Sequence, residues 1–203
     1  MIKILIAEDQ GMLLGAMAAL LDLEDDMQVV HQAKDGQHAL DFLTDSEQAA
    51  VDIVVTDIEM PRMTGIELAQ QIKLNKLPIK TIILTTFSRG GYLRRAMDAG
   101  VKGYLLKDAP SDDLIAAIRK IQSGGKSIAA ELVGDSWMEM DPLTDKERQA
   151  LRLAKDGLST EKIAEKLHLS AGTVRNYLSS ASSKLNAKNR VEAARIAHQK
   201  GWL

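Results

Sequence analysis

Residues 51–65 read VDIVVTDIEMPRMTG, an apolar run from Ile53 to Val55 that stops two residues later at an acid, Asp57, before a loop carrying Pro61 and Gly65. So short a run, bounded by turn residues and without a polar alternation, predicts a strand buried on both faces. Reading outward in both directions, the same unit recurs. Ile4 to Ile6 stops at Glu8 and Asp9, and Val29 with Val30 forms a second short run. Ile82 to Leu84 stops at Thr85 and Thr86, and Tyr104 to Leu106 stops at Lys107. Between the runs, apolar residues recur three and four apart, as in Met12, Leu13, Ala16 and Leu20 or in Leu114, Ala117, Ile118 and Ile121. Those spacings predict five helices. Strict alternation of strand and helix, with near-continuous apolar strands, predicts a doubly wound α/β unit with a parallel five-stranded sheet covered on both faces.

In a parallel sheet every carboxyl end lies along one edge, where neighbouring strands stand about 4.8 Å apart. Glu8, Asp9 and Asp57, the Thr85 hydroxyl and the Lys107 ammonium are therefore predicted to converge. A lone aspartate after a strand is commonly a turn residue, and a lone lysine is commonly solvated. Four matched strand ends carry more weight than any one of them. Clustered carboxylates repel unless a cation joins them, and an all-oxygen donor set without His or Cys favours Mg²⁺. A carboxylate beside Mg²⁺ is a competent nucleophile toward phosphorus, which assigns that role to Asp57. Lys107 is suited to pair with the phosphoryl group and Thr85 to donate a hydrogen bond to it.

The chain has 203 residues, 26 Lys plus Arg against 28 Asp plus Glu, and no cysteine. That excludes disulfide scaffolds and thiolate metal sites. Apolar runs fall well short of the roughly 18 residues needed to span a bilayer, and MIKILIAED lacks a secretory cleavage site, so a cytoplasmic protein without membrane insertion is expected. Cutting before Pro142 separates opposite charges: residues 1–141 carry 14 basic and 22 acidic side chains, residues 142–203 carry 12 and 6. A basic segment of this kind suits a polyanion, or is simply a solvated face. Three parts are expected: a sheet domain over 1–124, a linker over 125–141 with a short helix near 129–138, and a helical domain over 142–203. The Gly124–Gly125 pair ends the fifth helix. In the last part Thr144 with Glu147, Ser159 or Thr160, Ser170 and Asn189 open four helices. Ile163, Ala164 and Leu167 face Val174, Leu178 and Ala181 across a short break, which is a helix-turn-helix pattern. It leaves Thr173, Arg175, Asn176 and Ser179 outward, with side chains suited to base edges and phosphates. The open alternative is a helical interaction domain whose polar face meets water.

IAEDQ, VVTDIEMPRMTG, ILTT and GYLLKD, in this order and spacing, closely resemble the receiver domain of bacterial response regulators. The resemblance implies a flavodoxin-like strand order 2-1-3-4-5 and phosphorylation of Asp57 by a cognate sensor histidine kinase. It also implies direct Mg²⁺ ligation by Asp9 and Asp57, Glu8 acting through water, and the backbone carbonyl of Glu59 as a further ligand. Thr85 and Tyr104 are the implied switch residues, Tyr104 swinging inward as space opens. A proline often follows the lysine in this family, whereas here Lys107 precedes Asp108, Ala109 and Pro110. The stretch from LTDKERQAL to RVEAARIA, residues 143–198, resembles the helix-turn-helix of LuxR-type and NarL-type regulators. That likeness turns Arg175, Asn176 and Ser179 toward bases and Thr173, Lys184, Lys188, Asn189 and Arg190 toward phosphates. Relatives often carry lysine at Ser179 and isoleucine at Ala181, and the serines of this helix lower its propensity.

Taken together, the sequence predicts a two-component regulator that dimerises on phosphorylation and binds promoter DNA, with RNA polymerase as a further partner. Its own phosphotransfer and autodephosphorylation would be its only chemistry. LEDDM, DIEMP, ILTTF and GTVRNY are similar to regulators of membrane-lipid and cell-envelope responses in Gram-positive bacteria. The enzyme alternative, a Mg²⁺-dependent phosphohydrolase resembling the haloacid dehalogenases, would need Asp-x-Asp after the first strand and a cap. Here the candidate nucleophile follows the third strand. A regulator that binds DNA without phosphorylation is the remaining alternative. The four histidines, at 31, 38, 168 and 198, lack ligand spacing, and the nine methionines read as core filling.

Overall fold

The computed structural model describes residues 1–45, 50–86, 90–130 and 141–203. They form two compact units. The first alternates β1 (Ile2–Ala7), α1 (Gly11–Leu21), β2 (Met27–Ala33), α2 (Gly36–Thr44), β3 (Ile53–Thr56), α3 (Gly65–Leu74), β4 (Lys80–Thr85), α4 (Gly90–Asp98), β5 (Gly103–Leu106), α5 (Ser111–Gln122) and β6 (Ser127–Ile128). The sheet is wholly parallel, in the order β2-β1-β3-β4-β5-β6.

The strand period of two explains why the apolar runs are unbroken, since both faces of the sheet are covered. Ile4, Ile6, Ile53, Val55, Ile82 and Leu84 pack toward α1 and α5, against Leu14, Ala18, Leu114 and Ile118. Leu5, Ala7 and Val54 face the other way, against Ala39, Leu68 and Ile72 of α2 and α3. Thr64 starts α3 with a reciprocal capping box to Glu67. Asp112 and Asp113 open α5 and Arg119 and Lys120 close it, in the sense the helix dipole favours.

Two expectations are revised. The sheet has six strands, not five: Ser127 and Ile128, in the stretch expected to be linker, pair with Gly103 and Tyr104, so β5 is not an edge. Two residues are too few for any periodicity to announce them. In α1 the inward face is Leu14, Ala18 and Leu21, while Met12 is 92% exposed and Ala16 is also exposed. GMLLGAMAALL is apolar nearly all round, so its spacing cannot choose a face. The expected helix near 129–138 lies almost wholly outside the described residues. Among the described residues, no helix is long and apolar enough to cross a membrane.

The second unit consists of α6 (Asp145–Lys155), α7 (Thr160–Leu167), α8 (Ala171–Lys184) and α9 (Arg190–Gln199) around Leu151, Ile163, Val174, Leu178 and Ala193. Thr144, Ser159, Ser170 and Asn189 cap these helices. His168 ends α7 at φ 53°, and the Leu169 N–H closes the turn on the Ala164 carbonyl at 2.9 Å. Glu147 ties α6 to α8. Its carboxylate accepts from Ser180 Oγ at 2.6 Å, Lys184 Nζ at 2.8 Å and the Thr144 N–H at 2.7 Å. Burial alone would raise its pKa, but these donors outweigh burial and hold it at about 2. A depressed carboxylate pKa stabilises the fold above its unfolded value near 4.5, and that contribution is lost as pH falls toward 2. We expect Glu147→Gln to remove about 1–3 kcal/mol near neutral pH, with the gap from wild type closing in urea melts as pH falls below about 4. A constant gap at every pH would contradict this.

Candidate functional site

The β1–β3 register, Ala7 opposite Thr56, sets the acids side by side where both strands end. The ladder runs on by one residue, with Asp57 N–H donating to the Ala7 carbonyl and Glu8 N–H to that of Ala33, each at 3.0 Å. Lys107 N–H likewise donates to the Thr85 carbonyl at 2.9 Å. The predicted residues therefore meet: Glu8, Asp9 and Asp57 each offer a carboxylate oxygen, all within 4.8 Å of one another. Glu8 and Asp57 are buried and Asp9 is exposed. Glu59, whose carbonyl was expected to complete the ligands, follows in the β3–α3 loop and is half-buried. Thr85 and Tyr104 are fully buried.

Lys107 lies between the two buried acids, its Nζ 2.6 Å from Glu8 Oε2 and 3.0 Å from Asp57 Oδ2. The other oxygens have backbone donors: Asp57 Oδ1 accepts from the Ile58 N–H at 2.7 Å and Glu8 Oε1 from the Gln10 N–H at 3.1 Å. Glu8 Oε2 has the Lys107 ammonium as its partner. Burial raises the Glu8 and Asp57 carboxyls above their ordinary values against the pull of Lys107. Burial also acts to lower Lys107, but the two carboxylates outweigh it and raise the ammonium's pKa. Three carboxylates that converge within 4.8 Å of one another, two of them buried, form an all-oxygen set suited to a hard divalent cation.

Two glycines fix the loop that carries Asp57 onward; the sequence marks Gly65 only as a loop residue and gives Gly36 no role. A Cβ at Gly65 would lie 1.9 Å from the Asp57 carbonyl oxygen, and Gly65 N–H donates to the Ile58 carbonyl at 3.1 Å. A Cβ at Gly36 would lie 2.6 Å from the Met63 carbonyl oxygen. The only signal for either was its place in a turn after an acid or beside one. Beyond β5, where the family's proline is absent, the Ala109 N–H closes a turn on the Leu106 carbonyl at 3.3 Å and Pro110 precedes α5.

In the helical unit Arg175, Asn176 and Ser179 are exposed along α8, and Lys188 is exposed beyond it. The other predicted contacts carry structural duties. Lys184 Nζ is held by Glu147, and the Asn189 side chain caps α9 through the Val191 and Glu192 N–H groups. Arg190 reaches Thr160 Oγ1 at 3.3 Å, and Thr173 Oγ1 stands 2.9 Å from Ser170 Oγ. Ser180 and Ser182, read as weak helix formers, are accounted for by bonds to Glu147 and to the Leu178 carbonyl.

Known families match both units. Residues 4–119 match the response regulator receiver domain, and residues 141–197 match the luxR family of bacterial regulatory proteins. The chain is 50% identical over 202 residues to the transcriptional regulatory protein DesR of Bacillus subtilis, covering 100% of this chain and 99% of that protein. A structure of the RcsB response regulator of Salmonella typhimurium, titled for its conformational dynamism for DNA interaction, has a TM-score of 0.76 at 25% identity. The match covers 98% of each chain. The structure of an RcsB–DNA complex matches at a TM-score of 0.62 and 25% identity, again over 98% of each. With both halves matched and a relative of half-identical sequence spanning the whole length, the chain belongs to the response regulators as a transcriptional regulator of two-component type, in which a receiver domain precedes a LuxR-type DNA-binding domain.

Proposed function

We propose that Asp57 accepts a phosphoryl group from a sensor histidine kinase in the presence of Mg²⁺, and that this modification controls dimerisation and promoter binding. The observation that carries the reading is the convergence of Glu8, Asp9 and Asp57 on one cation-sized site with Lys107 beside it. Asp9 and Asp57 would hold the ion directly, Glu8 through water, with the Glu59 carbonyl as the fourth contribution from the chain. Bound there, Mg²⁺ supplies screening of the charge that repels the Asp57 carboxylate from the phosphoryl oxygens. An Asp57 oxygen then bonds to phosphorus as the bond to the donor's leaving atom breaks. Lys107, already 3.0 Å from Asp57, pairs with the phosphoryl charge that replaces part of its present partnership. Thr85 donates to the same group. Phosphorylation adds about 1.5–2 negative charges, and the new contacts of Thr85 and Lys107 favour one state of a pre-existing equilibrium that Tyr104 reports.

Paired helix-turn-helix units would then read two half-sites, with Arg175, Asn176 and Ser179 of α8 facing base edges. The decisive experiment is DNA affinity, on a sequence selected from a random pool by the full-length protein, with and without a small phosphoryl donor. The reading expects about tenfold or more tighter binding after phosphorylation in wild type and no change in Asp57→Asn. Equal affinity in both states would overturn it. Arg175→Ala is expected to cost about 1–3 kcal/mol on the selected sequence and much less on random DNA, because a base contact discriminates where a phosphate contact does not. Equal losses on both would remove Arg175 from base readout.

A further inference from the structure

Arg62 occupies the β3–α3 loop with φ 63°, a left-handed backbone conformation that glycine adopts freely and other residues at a cost. Its half-exposed guanidinium reaches Asp35 in the β2–α2 turn. There Nε donates to Asp35 Oδ2 at 2.8 Å, and Nη2 is paired with the same oxygen. Asp35 is buried, and its other oxygen caps α2 by accepting the His38 N–H at 2.9 Å. Burial would raise the Asp35 pKa, but the His38 amide and the guanidinium outweigh it and keep the carboxyl ionised. A second tie runs beside the first, with Gly36 N–H donating to the Met63 carbonyl at 3.1 Å. The loop from Ile58 to Thr64 is thus docked on α2 near Arg62 and Met63, and closed on itself by Gly65 N–H to the Ile58 carbonyl. Glu59 lies between these points.

We infer that Arg62 is a positioning residue for the phosphoacceptor site, its ion pair with Asp35 holding the β3–α3 loop so that the Glu59 carbonyl and the Asp57 carboxylate keep one geometry toward the cation. This rests on the Mg²⁺ and phosphoryl reading above. The ion pair and the Gly36–Met63 bond together fix a turn whose left-handed φ glycine would hold with less strain. Groups that orient metal ligands from one shell further out change affinity without touching the ion.

The test uses the full-length protein as wild type, Arg62→Ala, Arg62→Gly, Arg62→Lys and Asp35→Asn. Mg²⁺ binding is measured by calorimetry, phosphoryl-adduct formation by intact mass, and stability by urea unfolding. Arg62→Ala is expected to weaken Mg²⁺ by about tenfold and to slow adduct formation at low Mg²⁺, the rate recovering at saturating Mg²⁺. Arg62→Lys should recover part of the affinity as a point charge without the fork. Arg62→Gly separates positioning from stability: it should be at least as stable as Arg62→Ala and still bind Mg²⁺ weakly. Mg²⁺ affinities within about twofold of wild type in both Arg62→Ala and Arg62→Gly would overturn the inference, as would losses that track the unfolding midpoint across all four variants. If wild type itself binds no Mg²⁺, the reading of the acidic site fails, and the inference falls with it. If wild type binds and the variants match it, only the role of Arg62 fails.

Discussion

Gly65→Ala is expected to destabilise the receiver unit by about 3 kcal/mol or more and to disable its acidic site in the molecules that remain folded. The added methyl carbon would stand 1.9 Å from the Asp57 carbonyl oxygen and 2.8 Å from Thr56 Oγ1. Neither neighbour is the free end of a flexible side chain. The carbonyl belongs to the residue that offers its carboxylate to the site, and Thr56 Oγ1 itself donates to that carbonyl at 2.9 Å. Relief requires the backbone at Asp57 to move, which breaks the Gly65 N–H to Ile58 bond and shifts the carboxylate relative to Glu8 and Lys107. Urea unfolding of the variant, with Gly15→Ala as a control for glycine loss in open space without a left-handed backbone, checks the size of the effect. A cost no larger than that of the control would mean the loop has room the structure does not show.

Lys107→Ala is expected to cost about 3 kcal/mol in Mg²⁺-free buffer near neutral pH, because it leaves the buried Glu8 and Asp57 carboxylates without their cation, each keeping only a backbone donor. The sign with pH follows from their raised pKa values. A carboxylate whose folded pKa lies above its unfolded value favours the fold at low pH, and that advantage disappears as pH rises through the folded value. Without the ammonium both shifts grow. The deficit relative to wild type should therefore be small below the ordinary carboxylate range and grow as pH rises through the raised folded values. Adding Glu8→Gln to the variant should recover part of the loss by removing one of the two charges. A deficit independent of pH would show that Lys107 contributes through packing of its stem and not through its charge.

Much of this was legible in the amino-acid sequence because burial on two faces leaves an unmistakable pattern. Strands such as Ile53–Thr56 had no polar alternation to confuse with a helix, and four of the five expected strands stopped at a residue whose chemistry named the edge of the sheet. Glu8, Asp9, Asp57 and Lys107 come together because a parallel sheet admits few other places for them. What stayed hidden depends on contacts between distant positions or on elements too short to have a period. β6 is two residues long, and α1 is apolar on every side. Lys184, at the end of α8, was expected to face DNA phosphates, yet its partner here is Glu147, 37 positions earlier. Arg62 and Asp35 are 27 positions apart and meet only because the β2–α2 and β3–α3 loops emerge at the same edge. Serine-rich α8 read as a poor helix because propensity does not see that Ser180 answers a buried carboxylate.

Phosphorylation at Asp57 is tested most directly by intact mass together with oligomeric size after incubation with Mg²⁺ and a small phosphoryl donor, in wild type and in Asp57→Asn. The expected result is a single phosphoryl adduct in wild type alone, accompanied by a larger species in solution. An adduct of equal yield in Asp57→Asn, or none in wild type once Mg²⁺ binding has been verified, would contradict it.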